Sequence, residues 1–360
     1  METLSERKVF FLEGVERAGQ FWLDFVERHQ GETAALAAER DNVLQAIAAC
    51  RFYAPAWRTA AELAIRFRDP MMRLGFWRLW EQCVADLLAA RSDDCSLEIE
   101  AQLQCHLGFT LRRQARSAEW VATAEALLAR LRRAGASWQR ADCLRELGSH
   151  YFDLGRWDDA EALGREMLTF VTPAYEDGVL ADAYILLGRA CRARGEWQAA
   201  IGHFTAAVNY GDPPRYMSAH NFLALLYLDI EQPRQALDHL EAALEVAERM
   251  GERPGQGVIR GNMGRAYLAL GRLDLALAQQ ESALALSREA HNRPSEMHIL
   301  AFLGDVYRAL EQEARAEGYY RQSLALAQEL GADAWVERME RALSPGGASA
   351  ARPGPSRRPG

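Results

Sequence analysis

The sequence predicts an all-α solenoid of stacked helical hairpins, each about forty residues long. One observation is a short motif that recurs through residues 144–344, with small-residue anchors 40, 36, 40 and 40 positions apart. The other is the spacing of apolar residues by three and four positions, which is typical of amphipathic helices. Since each unit of a repeat array packs mainly on its neighbours, the 360 residues need not divide into globular domains of ordinary size.

Four positions define the motif, and each has a physical reason. A small residue allows two helices to approach closely, and Tyr or Cys follows it after three positions. A turn position comes four residues later and is Gly in three copies, as a left-handed helix end favours. An Ala follows five positions further on, where a larger side chain would separate the paired helices. The small, turn and Ala positions are Gly148, Gly155 and Ala160; Gly188, Gly195 and Ala200; Ala224, Glu231 and Ala236; Gly264, Gly271 and Ala276; and Gly304, Glu311 and Ala316.

This motif resembles the tetratricopeptide repeat, a hairpin of two helices joined by a Gly turn. The resemblance implies a right-handed superhelical solenoid. Counting back from Gly148 by forty residues reaches Gly108 and then Arg68, and Trp120 and Trp80 stand at the Ala position of these less regular copies. We therefore predict about seven hairpins, of which the first one or two are imperfect caps.

The predicted organisation has three parts. Residues 1–52 form an N-terminal helical cap region, residues 53–344 form the repeat solenoid, and residues 345–360 form a disordered tail rich in Pro, Gly, Ser and Arg. Gly331 ends the last repeat helix, and the segment after it forms a C-terminal capping helix. Prolines about forty residues apart mark the ends of hairpins; they are Pro173, Pro213, Pro254 and Pro294.

The N-terminal region contains two predicted helices. Residues 5–30 carry Phe11, Trp22 and Phe25 at helical spacing; we expect this helix to cap the first repeats, and self-association through it is the alternative. A second helix spans residues 35–50, with the sequence ALAAERDNVLQAIAAC. This segment resembles the helix that follows the winged-helix module in STAND-class signalling ATPases and transcriptional regulators. The resemblance implies the C-terminal sensor region of such a protein, without its NTPase module, in signalling or transcriptional regulation.

Composition argues against several function classes. The formal net charge of −8 disfavours nonspecific nucleic-acid binding, and no apolar run is long enough to span a membrane. Lys8 is the only lysine and Val9 follows it, so no phosphate-binding loop is possible. The six cysteines form no CxxC pair, and no HExxH or GxSxG motif occurs. We expect a cytoplasmic, non-enzymatic protein without a metal or cofactor.

The family resemblance also implies where a partner binds. In tetratricopeptide arrays the first helix of each hairpin lines a concave groove. The groove positions most suited to binding are Arg112, Arg145, Arg189, Arg192, Asn221, Asn262, Arg265 and Arg308. The same rule also selects Arg113, Asp142, Ser149, Phe152, Asp153, Asp182, Phe222, Asp229, His298, Phe302 and Asp305.

Two side-chain chemistries recur at these groove positions. Arginine pairs with carboxylates through two donors, and asparagine pairs with a peptide backbone. The prediction is a protein or peptide partner, possibly an acidic segment, with no direct nucleic-acid or membrane contact. The alternatives are a metabolite sensor and a solvated face in which Arg and Asp simply pair.

Overall fold

The computed structural model describes residues 4–91, 95–135, 137–169 and 176–344. Within these ranges the chain forms eighteen α-helices and no β-strand, which confirms the predicted fold class. The helices are α1 (Leu4–Arg28), α2 (Thr33–Ala38), α3 (Arg40–Cys50), α4 (Ala54–Arg73), α5 (Trp77–Ala89), α6 (Leu97–Arg113), α7 (Ala118–Ala134), α8 (Ser137–Asp153), α9 (Trp157–Met167), α10 (Glu176–Ala193), α11 (Trp197–Tyr210), α12 (Pro213–Asp229), α13 (Pro233–Arg249), α14 (Arg253–Ala269), α15 (Leu273–Glu289), α16 (Arg293–Ala309), α17 (Glu313–Leu330) and α18 (Asp333–Leu343).

Helices α1, α2 and α3 precede the repeats. Helix α1 packs against α3 and α4, and its residues Leu23 and Val26 are buried. The prediction of one helix over residues 35–50 is wrong, because the backbone leaves helical geometry at Glu39 and separates α2 from α3. The break keeps Leu36 and Val43 buried on either side of it.

Seven hairpins follow, from α4 with α5 to α16 with α17. The turn between the two helices of every hairpin contains one residue in the left-handed region, with φ between 59° and 80°. These residues are Gly75, Ala115, Gly155, Gly195, Glu231, Gly271 and Glu311. They stand at the turn position of each copy, including the two irregular ones, so the predicted repeat phase is confirmed.

The small position of the motif excludes a larger residue because a bulky side chain packs directly over its backbone. A Cβ atom added to Gly188 would lie 2.6 Å from the ring of Phe204, which is sixteen residues later on the second helix. Gly108 is covered instead by Trp120. Ala160, Ala200, Ala236, Ala276 and Ala316, the five residues of the Ala position, are fully buried.

The hairpin of α8 and α9 fills this space differently. Gly164 stands sixteen residues after Gly148, where the next hairpin has Phe204, and it supplies no side chain. Leu186 of α10 lies over both glycines instead: added Cβ atoms would come within 2.8 Å of it at Gly148 and 3.2 Å at Gly164. The missing side chain is therefore replaced by one from the following hairpin.

The chain divides into two compact units, each with its own core. The described parts of Met1–Arg112 and Ala118–Glu146 form the first, and those of Arg113–Ser117 and Leu147–Gly360 form the second. The largest fully buried side chains of the first unit are Trp57, Phe67, Trp80 and Trp120, and those of the second are Phe204 and Tyr320. In the second unit, Met339 of α18 is buried in the core cluster formed with α16 and α17, as a capping helix requires.

The prolines and the glycine that were predicted to mark helix ends lie where their backbone chemistry predicts. Pro213, Pro254 and Pro294 occupy the first turns of α12, α14 and α16, where a missing N–H costs little. Gly331 adopts a left-handed conformation and ends α17. Pro173 and the predicted disordered tail, residues 345–360, lie outside the described residues.

Among the described residues, no helix is both long and apolar enough to cross a bilayer. In the same ranges, no group of three or more His, Cys, Asp or Glu side chains is placed to hold a metal ion.

Candidate ligand-binding site

All eight predicted binding residues lie on the first helices of hairpins. The first unit contains Arg112 on α6 and Arg145 on α8. The second unit contains the other six, on α10, α12, α14 and α16. Consecutive members of these four helices pack against one another, so their side chains form one surface, here called the first-helix face.

Arg112 and Arg145 hold a buried carboxylate. The side chain of Glu146 is fully buried; its Oε1 accepts from Arg112 Nε at 3.0 Å and its Oε2 from Arg145 Nη1 at 3.1 Å. Arg145 Nη2 also donates to Asp142 at 3.0 Å. An unpaired buried carboxylate costs several kcal/mol, so these two arginines stabilise the first unit.

Two acid–base pairs link α10 and α12 in the second unit. Arg192 Nε donates to Asp229 at 2.6 Å. Arg215 of α12 donates to Asp182 at 2.8 Å. For Arg192 and Asp182 the alternative prediction, that Arg and Asp pair with each other on the face, is correct.

Arg189 is held between aromatic rings. Its Cζ lies 4.0 Å from the ring centroid of Phe152 and 5.2 Å from that of Phe222. Its Nη1 donates to Ser149 Oγ at 3.3 Å. Stacking fixes the plane of the guanidinium, whose N–H groups point outward from its edge.

A chain of hydrogen bonds joins α14 to α12. Arg265 Nη1 donates to Asn262 Oδ1 at 3.2 Å, and Asn262 Nδ2 donates to Asn221 Oδ1 at 2.9 Å. Because a guanidinium is only a donor, it fixes the orientation of the Asn262 amide and, through it, that of Asn221. The amide N–H groups of Asn221 have no acceptor among the described residues.

Arg265 has no carboxylate within 4 Å among the described residues, whereas Arg192, Arg215 and Arg308 of the same face each have one. The Cζ of Arg265 lies 4.8 Å from the ring centroid of Phe302. The pKa of Arg265 is lowered to about 10, chiefly because the guanidinium is buried; Asp229 and Asp305 oppose this shift, and the charges of Arg192 and Arg338 add to it. Arg265 is thus a charged, partly desolvated group at neutral pH without a direct counter-ion.

Helix α18 contributes two residues that sequence analysis missed. Arg338 donates to Asp305 at 3.0 Å and lies 5.0 Å from the ring centroid of Phe302, and Trp335 packs on His298 with centroids 4.3 Å apart. The signal was present in the sequence, because α18 begins 40 residues after α16 and Arg338 repeats the position of His298.

Arg308 is the last predicted binding residue, and α18 engages it too. Its Nη2 donates to the carbonyl oxygen of Ala342 at 2.7 Å and to Glu313 at 3.0 Å. Arg308 therefore joins α16 to α18 and to the start of α17.

The family follows from these features and from a direct match. The tetratricopeptide repeat family model matches residues 139–210, 214–289 and 256–329, which together exceed half of the chain. The chain belongs to the tetratricopeptide repeat family. No curated protein matches the sequence. The matched ranges begin at residue 139, so they leave the STAND resemblance of residues 35–50 a prediction.

Solved structures share the tetratricopeptide fold. A Rap protein complexed with Competence and Sporulation Factor is similar, with a TM-score of 0.57 and 15% identity over 78% of this chain and 80% of that one. The apo quorum sensor NprR from B. thuringiensis has a TM-score of 0.58 and 13% identity over 86% and 87%. The Rap conjugation gene regulator of plasmid pLS20, in complex with the Phr* peptide, has a TM-score of 0.59 and 14% identity over 87% and 96%.

Proposed function

We propose that this tetratricopeptide protein is a non-catalytic scaffold that binds an extended segment of a peptide or protein partner along the first-helix face of α10, α12, α14 and α16. The similarity to structures described as complexes with a factor and a peptide supports this proposal. The observation that carries it is the oriented chain from Arg265 through Asn262 to Asn221.

The orientation of this chain suits a peptide backbone. Asn262 uses its oxygen and one N–H within the protein, whereas Asn221 keeps its amide N–H groups for an external acceptor. A main-chain carbonyl is the acceptor that every peptide offers at regular intervals. Because the donors are fixed before binding, a ligand loses less side-chain freedom when it pairs with them.

The test is a selection of soluble 12-residue random peptides on the full chain, followed by fluorescence anisotropy with the enriched peptides. Asn221→Ala removes the outward donors, and we expect binding to weaken about tenfold, as loss of one well-placed hydrogen bond does. Asn209→Ala, on the exposed surface of the second helix α11, is the matched control and should leave binding unchanged. Failure to enrich any peptide would contradict the proposal, and so would equal effects of the two variants.

The regulatory setting, signalling or transcriptional regulation, is a further part of the proposal and rests on the resemblance of residues 35–50 to STAND-class regulators. A thermal-shift screen with metabolites tests the alternative ligand class. A large shift with one sugar or nucleotide, together with no enriched peptide, would favour a small-molecule sensor.

Self-association is supported by a separate observation on α1. Phe10 and Phe21 are 72% and 54% exposed and, eleven positions apart, share one stripe of the helix with Gly14. Of the residues in the earlier prediction, Phe11 is exposed, whereas Trp22 and Phe25 are half-buried and stack on each other edge to face. A Cβ at Gly14 would meet nothing within 4 Å, so a helix of a second copy has room to approach there.

A further inference from the structure

Arg265 of α14 keeps one edge of its guanidinium for a ligand. Its Nη1 donates to Asn262 Oδ1 at 3.2 Å. Its Nε and Nη2, whose N–H groups point in parallel from another edge, have no acceptor among the described residues. The residue is half-buried, and these two nitrogens remain open to solvent. Because the Phe302 ring holds the guanidinium from one side, the parallel donors are positioned for the two oxygens of a carboxylate.

The charges around Arg265 do not balance. Two arginines and two carboxylates act on its charge, and they pair with each other. Arg192 donates to Asp229 at 2.6 Å, and Arg338 donates to Asp305 at 3.0 Å. The positive charge of Arg265 is therefore left over from this group of five.

His298 does not change this balance. Burial, followed by the charges of Arg265 and Arg338, lowers the pKa of His298 to about 4, so its ring is neutral at pH 7. Trp335 packs on the same ring, with centroids 4.3 Å apart. One partly desolvated positive charge remains at the contact of α14 with α16, and a single carboxylate would neutralise it.

The asparagine chain lies close enough to serve the same ligand. Two hydrogen bonds in series, of 3.2 and 2.9 Å, connect Arg265 through Asn262 to Asn221. An extended chain rises about 3.3 Å per residue, so about three residues of a peptide reach from one end of this series to the other. Helix α14 contacts α12 and α16, so a segment that runs along the face passes Arg265 within its length.

We propose that the bound segment carries one Asp or Glu side chain whose carboxylate accepts two hydrogen bonds from Nε and Nη2 of Arg265. This inference rests on the proposed peptide-binding function and specifies its ligand. The acidic side chain sets the register of the segment on the first-helix face, and the amide of Asn221 holds its main chain.

The experiment is a competition between two pools of soluble 12-residue peptides on the full chain. Every peptide of one pool contains a single Glu at a random position, every peptide of the other contains Gln instead, and the remaining positions are randomised without Asp or Glu. All C-termini are amidated, and a second set of both pools with free C-termini tests the terminal carboxylate. We expect the amidated Glu pool to be enriched about tenfold over the amidated Gln pool.

A change in the peptide tests the contact without altering the protein. Replacement of Glu by Gln in an enriched amidated peptide should weaken binding about tenfold, as measured by fluorescence anisotropy. The Gln peptide should still respond to Asn221→Ala, because the main-chain contact does not need the acid. Equal affinities of the Glu and Gln peptides would overturn the inference.

Changes in the protein then assign the acid to Arg265. Arg265→Gln should weaken binding of the Glu peptide about tenfold, but should have little effect on the Gln peptide. Arg265→Lys keeps the charge without the parallel donors, so it should retain only part of the preference for Glu. Arg234→Gln removes a positive charge from the exposed surface of α13, and this control should leave the preference unchanged. An undiminished preference for Glu in Arg265→Gln would overturn the inference.

The outcomes separate this inference from the proposed function. If both pools are enriched equally and the peptides respond to Asn221→Ala, the inference is wrong and the peptide-binding function stands. If peptides bind only with a free C-terminus, whether or not they contain Glu, the carboxylate is the terminal one and the inference is again wrong. If no peptide from these pools or from the random selection binds, both are wrong.

Discussion

The ring of Phe204 lies directly against the backbone of Gly188, where any side chain on that residue would have to go. This contact explains why the repeat motif has a small residue at this position, because the absence of a side chain allows α10 and α11 to approach closely. It also gives the most direct test of the repeat phase.

Gly188→Ala should destabilise the protein. A Cβ at this position would lie 2.6 Å from the Phe204 ring, so the ring or the helix must shift, and overpacking of this kind costs roughly 1–3 kcal/mol. Urea denaturation measures the change in unfolding free energy. Gly202→Ala is the control: its Cβ would meet nothing within 4 Å, and it should raise the unfolding free energy by about 0.5–1 kcal/mol.

Glu231→Gly should stabilise the protein. Glu231 has φ 59° in the turn between α12 and α13, a conformation that costs a residue with a side chain roughly 1–2 kcal/mol and costs glycine almost nothing. The unfolding free energy should rise by about 0.5–1 kcal/mol after the added chain entropy of glycine is subtracted. Glu241→Gly, in the middle of α13, should lower it by about 1 kcal/mol; a loss in both variants would contradict the assigned turn.

His298 should make stability depend on pH. Burial, followed by the charges of Arg265 and Arg338, lowers the pKa of His298 to about 4, against an ordinary value of 6.5. The folded state therefore excludes the proton: its contribution is complete above about pH 6.5 and is lost as the pH falls to about 4, to a total of up to roughly 3 kcal/mol. His298→Gln should reduce the fall in unfolding free energy over this window. Parallel curves for the two proteins would show that His298 titrates normally.

The exposed stripe of α1 should govern oligomeric state. If two copies pair through Phe10 and Phe21, light scattering coupled to size exclusion should give about twice the chain mass of 40.3 kDa. Phe10→Glu with Phe21→Glu should return the protein to the mass of one chain. Phe52→Glu changes an equally exposed aromatic between α3 and α4 and should leave the mass unaltered. A wild-type protein with the mass of one chain would contradict self-association through α1.

The sequence predicts the repeat phase well because the features that set it are local. A left-handed turn residue such as Gly155 and a buried residue such as Ala160 are constrained by their own hairpin. In the hairpin of α8 and α9, Leu186 covers the small position, whereas Phe204 does so in the hairpin of α10 and α11. This difference was not predictable from the local pattern, since Leu186 comes from the next hairpin.

The site is less predictable from sequence than the fold. The family positions place Arg192 and Arg265 on the same face, and because both are arginines the sequence gives no reason to expect different partners for them. Only the contacts between neighbouring first helices show that Asp229 neutralises the first, whereas the second has no such partner. Pairing between helices depends on side-chain reach in three dimensions, for which a repeat pattern carries no signal.

The register of α18 bears on how such a protein changes length. Since α18 starts 40 residues after α16, it packs on the last hairpin at the position that the first helix of another hairpin would occupy. An in-frame duplication of residues 293–332 would therefore find a surface already shaped to accept it, and the original α18 would still close the array. Growth or shortening by whole multiples of forty residues is the evolutionary route that this geometry leaves open.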